Sequence, residues 1–178
     1  MSSHETVLLD SNAIMRAMTR IAHEILEKND GCKNIVLIGI RSGGDHLAQM
    51  LRQRIFDIEG IEIKQGAVDV TMYRDDISNG VVRPIGKTDI PFALDNCHVV
   101  LVDEVIYTGR TIRAAMDALT DIGRPSSIQL AVLIDRGHRE LPIRPDFVGR
   151  NVPSSREEQI EVIFDDTLFP IKARLIKP

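Results

Sequence analysis

The sequence predicts an α/β domain with a parallel β-sheet core flanked by helices, and three observations lead there. The apolar runs NIVLIGI (34–40), VVLV (99–102) and SIQLAVLID (127–135) do not alternate with polar residues, as expected of strands covered on both faces. Segments of helical period lie between those runs, which is the βα alternation of a parallel sheet. Finally, Asp103 and Glu104 follow one apolar run directly. The carboxyl ends of strands are where open α/β sheets place their ligands.

Taken in order, Asp10 or Ser11 can cap a first helix whose apolar stripe is Ile14, Met18, Ile21 and Ile25. The strand at 34–40 runs into the turn RSGG (41–44), and a helix follows with Leu47, Leu51 and Ile55 inward. AVDVTMYR alternates, which predicts a half-buried strand with Val68, Val70 and Met72 on one face. Residues 75–96 are polar and broken by Gly80, Pro84, Gly86 and Pro91, the composition of a long mobile segment with extended pieces. After the run 99–102 and the turn 108–111, the apolar period becomes helical, with Ile112, Met116, Leu119 and Ile122 on one face. Following the strand 127–135, the tail predicts short strands near 146–149 and 160–164.

A chain of 178 residues is long enough for one domain with a full core. Hydrophobic residues make up 43% and charged ones 27%, a globular composition without repeats or low-complexity tracts. Nothing in the sequence has the length of a membrane span or the core of a signal peptide. Two cysteines, Cys32 and Cys97, without metal-ligand spacing, make a reducing cytoplasm the expected location. The net charge of −4 excludes a protein that is basic all over but allows a local basic face.

The stretch VVLVDEVIYTGRT (99–111) carries the chemistry. A buried strand ends in two acids, and Thr108, Gly109, Arg110 and Thr111 then open a helix, whose N-terminus is a ready anion site. Acids for hydroxyls or a metal, beside amides and hydroxyls for a phosphate, suit a ribose phosphate. In its residues this motif resembles the phosphoribosyl pyrophosphate (PRPP) motif of type I phosphoribosyltransferases. RAMTRIAHE, YRDD and MDALTDIGRPSSIQLAVLIDRGHRELPIRPDFVGRNVPSS narrow the match. With them, residues 10 to 165 resemble the pyrimidine operon attenuation regulator family, whose members are also uracil phosphoribosyltransferases.

That resemblance implies a type I phosphoribosyltransferase-like fold, with a small hood (residues 136–165) and a flexible lid loop (75–91, containing Arg83 and Lys87). It implies the reaction of uracil with PRPP to give UMP and pyrophosphate, with Mg²⁺ held through PRPP and by Asp103 and Glu104. The two acids would accept hydrogen bonds from the ribose hydroxyls, and residues 108–111 would hold the 5′-phosphate. Arg41, Ser42, Gly43 and Gly44 would form the pyrophosphate loop, with a strained, cis peptide between Arg41 and Gly43. Two positions depart from the family pattern: Gly43 stands where an Arg is usual, with Arg41 as partial compensation, and Glu104 stands where a second Asp is usual. Asp146, Phe147, Val148 and Gly149 would meet the pyrimidine.

The basic residues imply a second function. Four arginines between 136 and 150 against Glu140 and Asp146 leave that stretch at +2 in a chain of −4. By resemblance, Thr19, Arg20, His23, His138, Arg139, Arg144 and Arg150 form a face that binds a stem-loop of the pyrimidine-operon mRNA when UMP is bound. A homo-oligomer and no membrane partner are expected. Two alternatives stand beside this: a UMP-sensing regulator whose transferase activity has decayed through Gly43, and a purine phosphoribosyltransferase, which fits residues 117–153 less well.

Overall fold

Successive residues of a strand point to opposite faces, so a run that is apolar throughout must be covered on both sides. The computed structural model, which describes residues 4–75 and 86–178, meets that demand with three layers. In chain order the elements are β1 (Glu5–Asp10), α1 (Ser11–Lys28), β2 (Ile35–Ile40), α2 (Gly44–Glu59), β3 (Lys64–Val68), a 3₁₀ turn (Thr71–Tyr73), β4 (His98–Ile106), α3 (Arg110–Ile122), β5 (Ser127–Asp135), β6 (Phe147–Asn151), β7 (Gln159–Phe164) and β8 (Pro170–Ile176). Strands β3-β2-β4-β5-β6 form a five-stranded sheet whose pairings are all parallel.

Ile35, Leu37, Val100 and Val102 face α1 and α2, joining Ile14, Met18, Ile21, Ile25, Leu47, Leu51 and Ile55 in one core. Val36, Ile38, Val99 and Leu101 face α3, where Ile112, Ala115 and Leu119 complete the second core. Each of the larger of these side chains, fully buried, contributes roughly 1.5–3 kcal/mol. Asp10 is the cap of α1, its Oδ1 accepting from the Ala13 amide at 2.7 Å.

The structure corrects four details. Met72 does not continue a strand; it lies in the 3₁₀ turn, 78% exposed. Asp69 turns the chain there, because its Oδ1 accepts from the Thr71 amide at 2.9 Å and competes with the extended conformation. On α3 the buried face is Ile112, Ala114, Ala115, Ala118 and Leu119, whereas Ile122 is 44% exposed. Small alanines let the helix lie close to the sheet, and a stripe drawn only through large side chains points slightly away.

The third correction is β1 and β8, which the pattern did not predict; with β7 they form an antiparallel sheet, β1-β8-β7. The fourth concerns residues 136–165, which are not one hood. β6 is the edge of the large sheet and only β7 belongs to the small one. Leu9, Ala173 and Leu175 pack the small sheet onto the α1/α2 core, and this brings β7 over the carboxyl end of β4. No helix among the described residues is long and apolar enough to cross a membrane.

Candidate active site

Pairing of β2 with β4 ends at Gly39 opposite Val102. Beyond that point β2 turns away, and Asp103 and Glu104 face the gap that it leaves. A cleft of about 690 Å³ opens there, lined by Asp103, Glu104, Arg41, Asp69, Arg74, Thr111 and Ile160, among others. A smaller space of about 180 Å³ continues from it along Tyr107, Thr108, Gly109 and Thr111, and Asp103 and Arg74 border both.

Burial pushes the Asp103 carboxyl up to about 7, against the Glu104 amide that donates to its Oδ1 at 2.8 Å and the positive charge of Arg74. Burial likewise pushes Glu104 up to about 8, and the charges of Asp103 and then Asp45 act in the same direction. Two acids this close resist ionising together. The pair is therefore suited to a ligand that brings positive charge, hydroxyl donors or a metal ion.

After Ile106 the chain turns through Gly109, at φ +93°, into α3. The N-cap residue is that glycine, which brings no side chain to the first turn; Thr108 Oγ1 accepts from the Arg110 amide at 3.3 Å, and first-turn donors at a helix start suit a phosphate. Thr108 and Thr111 border the space that these amides face. Arg110 is placed differently from the expectation. Its guanidinium pairs with Asp75 at 2.8 Å and Glu140 at 3.0 Å, so its backbone rather than its charge belongs to the turn.

In the loop between β2 and α2, the Arg41–Ser42 peptide is cis, at the place where the family resemblance implies an unusual bond. Arg41 and Ser42 line the cleft. The Nε of Arg41 is buried without a hydrogen-bond partner among the described residues, while its Nη1 lies 3.6 Å from Asp45. Arg41 thus lines the same cleft as the two acids. Gly43 does not present a free amide to the cleft as expected. The Gly43 amide donates to Asp45 Oδ1 at 3.0 Å, and Gly44 packs so tightly that a Cβ would lie 2.3 Å from the Val102 carbonyl oxygen.

Asp146, Phe147, Val148 and Gly149 are not brought to the cleft. Phe147, at the amino end of β6, pairs with Ala131 and is 3% exposed. Asp146 accepts from Lys28 and from the Leu130 amide, and the Val148 and Gly149 carbonyls accept from Arg20. In a parallel strand only the carboxyl end reaches the ligand side, and for β6 that end is Asn151. Ile160 on β7 lines the cleft instead; an apolar residue in the tail carried no signal that would have singled it out. Arg136, counted in the basic stretch but not expected at the site, is placed beside the motif. It lies 4.1 Å over the Tyr107 ring and donates to Ser154 Oγ and to the carbonyls of Ser155 and Glu158. In this way it ties the motif to the segment that leads into β7. Asp45, in the first turn of α2, was the readable omission, since an acid there suits a helix start.

The candidate RNA residues fall in two places. Thr19, Arg20 and His23 share a shallow groove with Arg16 and Arg54; Arg150, at the end of β6, donates to the Leu8 carbonyl. His138 and Arg139 lie instead against the motif: Arg139 donates to the Tyr107 carbonyl and Asp135, and His138 meets the Tyr107 ring edge-on. Arg144 is exposed. Most of the expected lid, including Arg83, lies outside the described residues; Lys87 is exposed and Asp75 pairs with Arg110 and Arg113.

Comparison with known proteins agrees with this geometry. A phosphoribosyl transferase domain model matches residues 4–163. The chain is 61% identical over 173 residues to the bifunctional protein PyrR of Geobacter sp. (strain M21), covering 97% of this chain and 98% of the relative. It is 53% identical over 167 residues to bifunctional protein PyrR of Bacillus subtilis (strain 168), covering 92% of each. Among solved structures, a hypoxanthine phosphoribosyltransferase of Trypanosoma cruzi superposes with a TM-score of 0.75 at 21% identity, covering 97% of this chain and 95% of that one, a likeness of fold. Matched over most of its length, the chain belongs to the phosphoribosyl transferase family and, within it, to the bifunctional PyrR proteins.

Proposed function

We propose that the protein joins uracil to the ribose 5-phosphate of PRPP, and that with UMP bound it holds a stem-loop of pyrimidine-operon mRNA to attenuate transcription. The observation that carries the transferase half is the placement of Asp103 and Glu104 across one open cleft from the start of α3 at Gly109 and Thr111. In the reaction, N1 of uracil forms a bond to the anomeric carbon while the bond to the pyrophosphate oxygen breaks; the electron pair leaves with the pyrophosphate and the N1 proton passes to solvent. Positive charge develops on the ribose ring, and the acids stabilise it through the ribose hydroxyls. The first-turn amides of α3, with Thr108 and Thr111, hold the 5′-phosphate, and Arg41 and Ser42 face the leaving pyrophosphate. Ile160 supplies an apolar wall for the base.

Among the described residues, no group of three or more His, Cys, Asp or Glu side chains is arranged to hold a metal. Two adjacent carboxylates without further ligands suit a Mg²⁺ ion that keeps its waters and is carried by ligand oxygens. When bound, Mg²⁺ would neutralise charge on the pyrophosphate and the acid pair. The regulatory half draws on the basic positions Arg20, His23 and Arg144, with loops and bulges of RNA as the readable target. A homo-oligomer belongs to the same proposal.

Product formation from PRPP with uracil, hypoxanthine and guanine side by side tests the transferase. Uracil turnover is expected; purine turnover alone would overturn both halves. Binding of a leader stem-loop that tightens with UMP is expected for the regulator. A protein inert with every base that still binds RNA in response to UMP would leave regulation as its single function.

A further inference from the structure

Gly43 sits at φ +104°, and the space where its side chain would project is taken. An ideal Cβ would lie 1.2 Å from Oε1 of Glu104 and 2.2 Å from its Cδ. The Glu104 side chain also borders the cleft on one side and, on the other, a space of about 230 Å³ lined by Ser42, Gly43, His46, Val162, Phe164 and Leu168. From beneath, the loop is held by its main chain. Asp45 Oδ1 accepts from the Gly43 and His46 amides, and a Cβ on Gly39 would lie 2.2 Å from the Asp45 Cα. The face toward Glu104 is the one that these main-chain contacts leave unsupported.

We infer that Glu104 is a positioning residue for residues 41–44: its carboxylate fills the side-chain space of position 43 and so holds Arg41 and Ser42 toward the cleft. Glycine at 43 and glutamate at 104 are then one coupled feature, and a side chain at 43 is incompatible with Glu104 as placed. The inference rests on the transferase reading for the ligand it serves, the diphosphate end of PRPP. An aspartate would be one methylene short of the space above Gly43.

A double-mutant cycle of Gly43→Ala, Glu104→Ala and the pair tests this. The backbone strain of alanine at φ +104° enters both legs and cancels, leaving the coupling. In the wild-type background Gly43→Ala should raise the KM for PRPP at least about tenfold and leave the KM for uracil within about twofold. In the Glu104→Ala background the same change should cost about threefold or less. Calorimetric PRPP affinity gives the same cycle where turnover is too slow to measure. An equal penalty in both backgrounds overturns the inference. If wild type neither turns over nor binds PRPP, the transferase reading has failed instead. The cycle is then read from urea denaturation, where an equal loss in both backgrounds again overturns the coupling.

Discussion

Neutralising Asp103 should make the protein more stable while removing its activity. The carboxyl is raised from 3.8 to about 7 by burial, so the folded state keeps a proton that the unfolded chain releases near pH 4. Stability therefore falls as pH rises from about 4 to about 7 and levels off above, since the folded state binds more protons throughout that window. At about 1.4 kcal/mol per unit the shift corresponds to about 4 kcal/mol; Asp103 is half-buried at the wall of the cleft, and partial hydration brings this to ~1–2 kcal/mol.

Asp103→Asn keeps an oxygen to accept the Glu104 amide, which donates at 2.8 Å, and it removes the like charge beside Glu104. At pH 8 the variant should melt roughly 2–8 °C above wild type, from about 2–4 °C per kcal/mol at this chain length. Near pH 4 the gain should vanish. Calorimetry of both proteins without ligand, from pH 4 to 8.5, gives the profile. In the same variant kcat with uracil should drop by about 10²–10³-fold, the scale of losing one electrostatic stabiliser of a transition state. An equal melting temperature at pH 8, or a gain independent of pH, would show that the acid is not held against its charge. A near-normal kcat would make the pair structural.

Arg136→Ala removes the stack on Tyr107 and three hydrogen bonds to residues 154–158; it should cost about 2–4 kcal/mol in urea denaturation, and a loss under 0.5 kcal/mol would count against a brace. Asp10→Ala deletes the cap of α1 and should cost about 1 kcal/mol, whereas Asp10→Asn should restore most of it. For RNA, His23→Ala together with Arg144→Ala should weaken stem-loop binding and lower the salt slope by about 0.7–0.9 per lost phosphate contact, with uracil turnover unchanged. An unaltered slope would move the RNA surface elsewhere. Arg139 is a poor probe for this purpose, because it also supports the Tyr107 carbonyl.

What was legible in the sequence was what a single segment declares. The runs 34–40, 99–102 and 127–135 are apolar at every step, which a sheet covered on both faces requires, and the acids beyond Val102 mark its ligand end. Where two physical signals competed, the pattern misled. Val68, Val70 and Met72 keep the period of a strand, yet Asp69 bonds its own backbone and turns the chain. Ile160 and Arg136 depend on which segments the small sheet brings over β4, and no local period encodes that. Gly43 and Glu104 belong to the same class. Read along the chain they are two separate departures from a family pattern, 61 residues apart, and the first looks like a loss of charge. In space the glutamate lies where the side chain of residue 43 would be, and Arg41, two residues earlier, brings its guanidinium to the cleft. A missing charge at one position is therefore weak evidence of a decayed enzyme, since the chain can supply the same chemistry from a neighbour and close the space from across the cleft.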